Sequence, residues 1–169
     1  MKYFIVSILL SLLFLPGYRQ AQDSPTTETE IFDTTRTGTL RSNLVLLDLS
    51  GNQIKPDSGK VLILNLWATW CKPCIAEMPY LVNMQAALSD DFQLLLASDE
   101  GMEKIKKFTK NRPFDLQFAG IQNSIESMGV YSLPTTLVIG KNGDLLETLV
   151  GARKWDSPEQ INLLNSYLK

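Results

Sequence analysis

Two sulfur atoms are the first groups in this chain that could do chemistry. Cys71 and Cys74 are the only cysteines among 169 residues, and they lie three positions apart in "WCKPC". A C-x-x-C pair serves either metal binding or thiol–disulfide exchange. A structural zinc ion wants four ligands, mostly Cys or His. The sequence has no histidine and no third cysteine, so no metal site is expected within one chain, and no other cofactor is implied. The missing histidine also removes the usual base of Cys–His nucleophilic catalysis. A bridge used as a staple gains strength with the length of loop it closes; one from 71 to 74 closes almost none. Redox exchange remains, with Cys71 expected as the exposed nucleophile and Cys74 as the buried thiol that resolves the mixed disulfide. The plain alternative is an inert buried pair.

The placement of the pair argues against inertness. "VLILNLW" (61–67) is an apolar run of strand length, broken only by Asn65, and it suits a central strand buried on both faces. After the cysteines, "IAEMPYLVNMQAALS" reads as a helix that Pro79 should interrupt and kink. Cys71 therefore stands where a strand ends and a helix begins. Unpaired N–H groups and the positive end of the helix dipole favour a thiolate there. Lys72 adds a cation, and Pro73 is preset for the first helical turn.

Further elements follow in order. "FQLLLAS" (92–98) reads as a second buried strand, and "MEKIKKFTK" as an amphipathic helix with Met102, Ile105 and Phe108 on one face. "DLQFAG" is a short strand and "NSIESMGV" a short helix ending near Gly129. "TTLVIG" and "LLETLVG" flank Lys141-Asn142-Gly143-Asp144, a hairpin signal. "SPEQINLLNSYL" closes the chain as a helix, with Ser157 as N-cap, Pro158 in the first turn and Gln160 completing a capping box. Alternating strands and helices, then a hairpin and a helix, predict an α/β fold: a central mixed β-sheet with helices on both faces.

The ends read differently. Met1, Lys2 and "YFIVSILLSLLFL", broken by Pro16-Gly17, have the layout of a signal peptide over residues 1–21, with an uncleaved membrane anchor as the alternative. The apolar run is short of the roughly 20 residues a comfortable span needs. Residues 22–37 are polar and Thr-rich, a flexible linker, which leaves 38–169 for the domain. The net charge is −2, and −4 once Lys2 and Arg19 are lost with residues 1–21. That balance gives no case for nucleic acid as a partner. Export to the periplasm or cell envelope is the expected localisation.

"WATWCKPC" with the following "EMP" resembles exported thioredoxin-like proteins of the TlpA/ResA type, and the similarity runs over about residues 38–169. "LLDLSGNQI" is similar to the extra N-terminal hairpin of that group, and "YSLPTTLVIGKNGDLLETLVGA" to the second half of thioredoxins. The resemblance implies a thioredoxin-like fold and a thiol–disulfide oxidoreductase. It implies that Pro134 is cis and faces the disulfide, with Leu133, Pro134 and Thr135 of "LPTT", Gly151 and the rim residue Trp70 forming the substrate surface. A strand-start proline and a turn glycine are the plain readings of Pro134 and Gly151. Thioredoxins carry a buried aspartate where this chain has Asn65, which has no proton to exchange and is expected to hold backbone or water. Glu77, three residues after Cys74, is the candidate proton partner in its place; a solvent-facing helical glutamate is the alternative. The implied partners are protein disulfides, apocytochrome c among them, with a membrane electron donor for regeneration.

Two rivals carry different chemistry. A thiol peroxidase needs Thr or Ser three residues before the reactive cysteine, and Ala68 stands there. A non-enzymatic copper- or partner-binding module would use the two soft sulfurs; Met78 is the nearby thioether, expected on a different helix face from Cys74.

Overall fold

The computed structural model describes residues 43–168; the expected signal or anchor (1–21) and linker (22–37) lie outside them. Seven strands form one sheet: β1 Leu46–Leu47, β2 Gln53–Ile54, β3 Val61–Leu66, β4 Phe92–Ser98, β5 Phe118–Ile121, β6 Thr135–Ile139 and β7 Leu145–Val150. The helices that accompany them among the described residues include α1 Lys72–Ala87, α2 Met102–Asn111 and α3 Pro158–Ser166, with a 3-10 turn at Glu126–Met128. The strand order is β2-β1-β5-β4-β3-β6-β7. β3, β4 and β5 run parallel, while β6, β7 and the β1–β2 hairpin are antiparallel to their neighbours, so the sheet is mixed as expected.

β3 lies inside this sheet, between β4 and β6, and every one of its six residues is buried. Successive side chains alternate between faces. Val61 and Ile63 join Met78, Leu81 and Met84 of α1, Ile105 of α2 and Leu164 of α3 in one core. Leu62, Leu64 and Leu66 join a second core with Leu46, Leu95, Leu137 and Ile139. Among the described residues that second face is covered by Leu44, Ile125 and Val130. α1 and α2 share a face because β3→β4 and β4→β5 are parallel crossovers in the same direction, and right-handed crossovers then put both helices on one side.

Local chemistry explains the joints. Asp48 closes the β1–β2 turn, accepting from the N–H groups of Ser50 (2.8 Å) and Asn52 (2.9 Å), with Gly51 at φ +91°; those bonds hold its carboxyl below the usual range. The β6–β7 hairpin turns on Gly143 at φ +92°. Two expectations change. α1 is unbroken, and Pro79 lies on its exposed side. The capping box on α3 is half formed: Ser157 Oγ accepts from Gln160 N at 3.4 Å, but Gln160 Oε1 is buried without a partner instead of reaching back.

Candidate functional site

Sheet register brings the site together. Leu66, the last residue of β3, pairs with Thr135, the first of β6, which pairs in turn with Val150, the last of β7. The residues just beyond these three therefore emerge at one edge: 67–74 after β3, Pro134 before β6 and Gly151 after β7. That edge is the carboxyl end of the parallel strands, where open α/β sheets place their ligands.

Cys71 is the N-cap of α1 and is disulfide-bonded to Cys74, with Cα atoms 5.3 Å apart. The Cys74 N–H, in the first turn, donates to Cys71 Sγ at 3.2 Å. Such a bond favours negative charge on sulfur 71. Pro73 sits in the first turn, where no N–H is needed. The exposure expected of Cys71 needs correction. It is 4% exposed and Cys74 1%, and both sit in the core that holds Trp67 and Ala68. The difference between the sulfurs is one of degree, and the open ground lies beside them: Trp70 is 70% exposed, and Lys72 and Pro73 are exposed too.

The Leu133–Pro134 bond is cis. Pro134 O accepts from Gly151 N at 2.8 Å, which ties the two segments. Among the described residues the backbone of Leu133 has no hydrogen-bond partner. Thr135 is buried, its hydroxyl donating to Ser132 O at 2.7 Å, so its side chain is turned away from the surface. Gly151 has φ +89°, and a Cβ there would meet nothing within 4 Å; backbone conformation, not crowding, selects glycine. Tyr131, not anticipated from sequence, is 84% exposed close to this segment.

Glu77 faces inward, which removes the solvent-facing alternative: it is 2% exposed. Its Oε1 accepts from Asn65 Nδ2 at 2.9 Å. Its Oε2 accepts from Trp155 Nε1 at 2.9 Å and Arg153 N at 3.0 Å. Burial pushes its carboxyl up, and the three bonds pull against that rise. Asn65 also reaches Thr136 Oγ1 at 3.0 Å, so its amide nitrogen holds two side chains, those of Glu77 and Thr136. Neither sulfur is hydrogen-bonded to Glu77, but the i, i+3 spacing from Cys74 keeps the two on one helix face.

Glu100 was also missed. It follows β4 and accepts from Thr69 N and from Thr69 Oγ1 (3.0 Å), fixing the turn that carries Cys71. Met78 is corrected as well. Four residues from Cys74, it shares that face and the same buried core. Ala68, where a peroxidase would need a hydroxyl, is a buried methyl group.

The chain is similar to known proteins over most of its length. The AhpC/TSA family profile matches residues 40–148. A thiol-disulfide oxidoreductase ResA of Bacillus thuringiensis subsp. konkukian is 33% identical over 165 residues, 93% of this chain and 92% of the relative. A same-named protein of Bacillus cereus is 37% identical over 117 residues, 64% of this chain and 66% of the relative. Among solved structures, StoA from Bacillus subtilis superposes with a TM-score of 0.57 at 19% identity, covering 74% of this chain and 95% of that one. A thiol:disulfide interchange protein of the thioredoxin family from Chlorobium tepidum TLS gives 0.58 at 24%, covering 73% and 91%. These two likenesses establish the thioredoxin-like fold.

Proposed function

This chain belongs to the AhpC/TSA family, and we propose that it works there as a thiol–disulfide oxidoreductase that reduces disulfides of partner proteins. The observation that carries the reading is the N–H of Cys74 donating to Cys71 Sγ at the cap of α1. That N–H would stabilise a thiolate on sulfur 71 once the bridge is reduced, which supports Cys71 as the attacking sulfur. The thiolate of Cys71 attacks one sulfur of a partner disulfide. A mixed disulfide forms, and the partner's other sulfur leaves as a thiolate and takes up a proton. Cys74 gives up its proton and attacks sulfur 71, the 71–74 bridge closes, and the partner leaves with its second thiolate. Two electrons pass from the protein to the partner.

The unpartnered backbone of Leu133 suits strand-like hydrogen bonding to an extended partner peptide. Trp70, Tyr131 and the Pro134–Gly151 ledge give that peptide an apolar rim. Glu77 acts on Cys74 through its proton. While ionised it opposes a second negative charge on the neighbouring sulfur, and while protonated it relieves that opposition. The protein acts outside the cytosol, with residues 1–21 as signal or anchor. Its partners there include apocytochrome c, and a membrane donor restores its thiols. Among the described residues no helix is long and apolar enough to cross a membrane.

Equilibration against a glutathione buffer tests the direction of electron flow. A potential below about −200 mV is expected of a reductase, and a value near −120 mV, that of a strong exported oxidant, would overturn it.

A further inference from the structure

A second feature opens on the same edge of the sheet. A groove of about 260 Å³ is lined by the segment that carries the cysteines and by α2 with Arg112 just beyond it. Thr69, two residues before Cys71, and Ile75, one after Cys74, form its near wall, and Phe108 and three cations, Lys104, Lys107 and Arg112, form the far wall. Ile75 N donates to Cys71 O at 3.2 Å, so the near wall and the reactive segment are one piece of backbone.

The charge here runs against the rest of the molecule. The chain is net −2, yet "KIKKFTKNR" (104–112) carries five cations in nine residues and no carboxylate. Two of them are neutralised: Lys104 Nζ lies 3.6 Å from Glu100, and Lys106 Nζ 3.0 Å from Glu103. Lys107, Lys110 and Arg112 have no carboxylate within ion-pair distance among the described residues, and of these Lys107 and Arg112 line the groove. Arg112 is held in place all the same, its guanidinium 5.4 Å from the centroid of the Phe108 ring. The groove thus joins the apolar side chains of Ile75 and Phe108 to two uncompensated cations, and its near wall flanks the cysteine pair in sequence.

We propose that this groove receives an acidic segment of the partner protein, next to the partner's own reacting cysteines. The proposal rests on the oxidoreductase reading and adds to it the partner's chemistry. Complementary charge at such a site steers encounter and sets register, and it rejects partners of the wrong sign. An anionic lipid surface would also attract these cations. It would lie across the disulfide and exclude the protein substrate, which favours the acidic peptide.

The test uses the full-length reduced protein and three synthetic peptides. Each carries one intramolecular disulfide flanked by Glu, Gln or Lys residues and is otherwise identical. The second-order rate of reduction is read at low and high salt. The Glu peptide is expected to be reduced roughly 3- to 10-fold faster than the Lys peptide at low salt, with the ratio shrinking toward one at about 0.5 M. Lys107→Gln with Arg112→Gln should erase the preference while leaving the rate on the Gln peptide within about twofold of the parent. Lys107→Glu alone, which leaves Arg112 on Phe108, should at least halve the preference. Equal rates on the Glu and Lys peptides, or a preference that survives both variants, overturns the groove alone. Loss of binding to phosphatidylglycerol vesicles in the double variant, with peptide preference intact, assigns the cations to a membrane instead. Reduction of none of the three peptides overturns the oxidoreductase reading and the groove together.

Discussion

Trp155→Phe isolates the control of Glu77. The substitution keeps a buried aromatic ring at 155 but removes the indole N–H that lies 2.9 Å from Glu77 Oε2. Asn65 Nδ2 and Arg153 N remain as donors. A hydrogen bond to a charged group is worth about 1.5–3 kcal/mol, and one pH unit of displacement corresponds to about 1.4 kcal/mol. Loss of the indole donor should therefore raise the Glu77 titration by about 1–2 units beyond its already raised position. Carbon-13 NMR of the Glu77 carboxyl against pH, in the oxidised protein, reads this directly. The stability consequence has a definite sign. A carboxyl whose folded pKa is raised supports the fold fully while protonated, below its unfolded pKa, and that support is lost as pH rises through the folded pKa. Compared with the parent, the variant should therefore lose more stability above the parent's Glu77 titration than below it. The smaller ring costs a further, pH-independent amount through cavity formation. A Glu77 midpoint that stays put or falls in Trp155→Phe would refute the claim that the indole stabilises the carboxylate.

Three other expectations use the same contacts. Cys74→Ser should trap partner proteins as mixed disulfides on Cys71, visible on non-reducing gels, because the resolving thiol is gone; trapping by Cys71→Ser instead would reverse the assigned order of attack. Glu100→Ala removes the acceptor of both Thr69 N and Thr69 Oγ1 and should lower unfolding free energy by about 1–3 kcal/mol, with an altered alkylation rate at Cys71; urea titration and iodoacetamide kinetics measure the two. Gly151→Ala should cost about 1–2 kcal/mol, since residue 151 sits at φ +89° with no atom crowding a Cβ; a larger loss by thermal unfolding would point to a steric clash where the structure has open space.

What the letters reveal and what they hide follows from sequence distance. β3 was legible because a central strand buried on both faces must be apolar throughout, and the Cys71 cap because C-K-P-C follows it at once. Asn65 stood out as the polar exception in that strand, but its partner could not be read. Glu77 is 12 residues away along the chain, and the other donors to that carboxylate, Arg153 and Trp155, come 76 and 78 residues after it. Only the β3–β6–β7 register brings them together, and a register is not written in either strand alone. The same holds for Glu100, 31 residues from Thr69, whose hold on it bridges the ends of two parallel strands. Met78 was misplaced for a simpler reason: at i, i+4 it shares the face of Cys74, as spacing alone requires. The network around Glu77 explains how a carboxylate can stay buried one helical turn from Cys74: three hydrogen bonds, with the charge of Arg153 adding to them, offset part of the cost of burial. Its carboxylate is met by three donors from two segments, Asn65 on β3 and Arg153 N with Trp155 Nε1 in the stretch after β7. Those donors hold it at a proton affinity that burial alone would raise further, and loosening either segment should change the chemistry of Cys74 before it unfolds the domain.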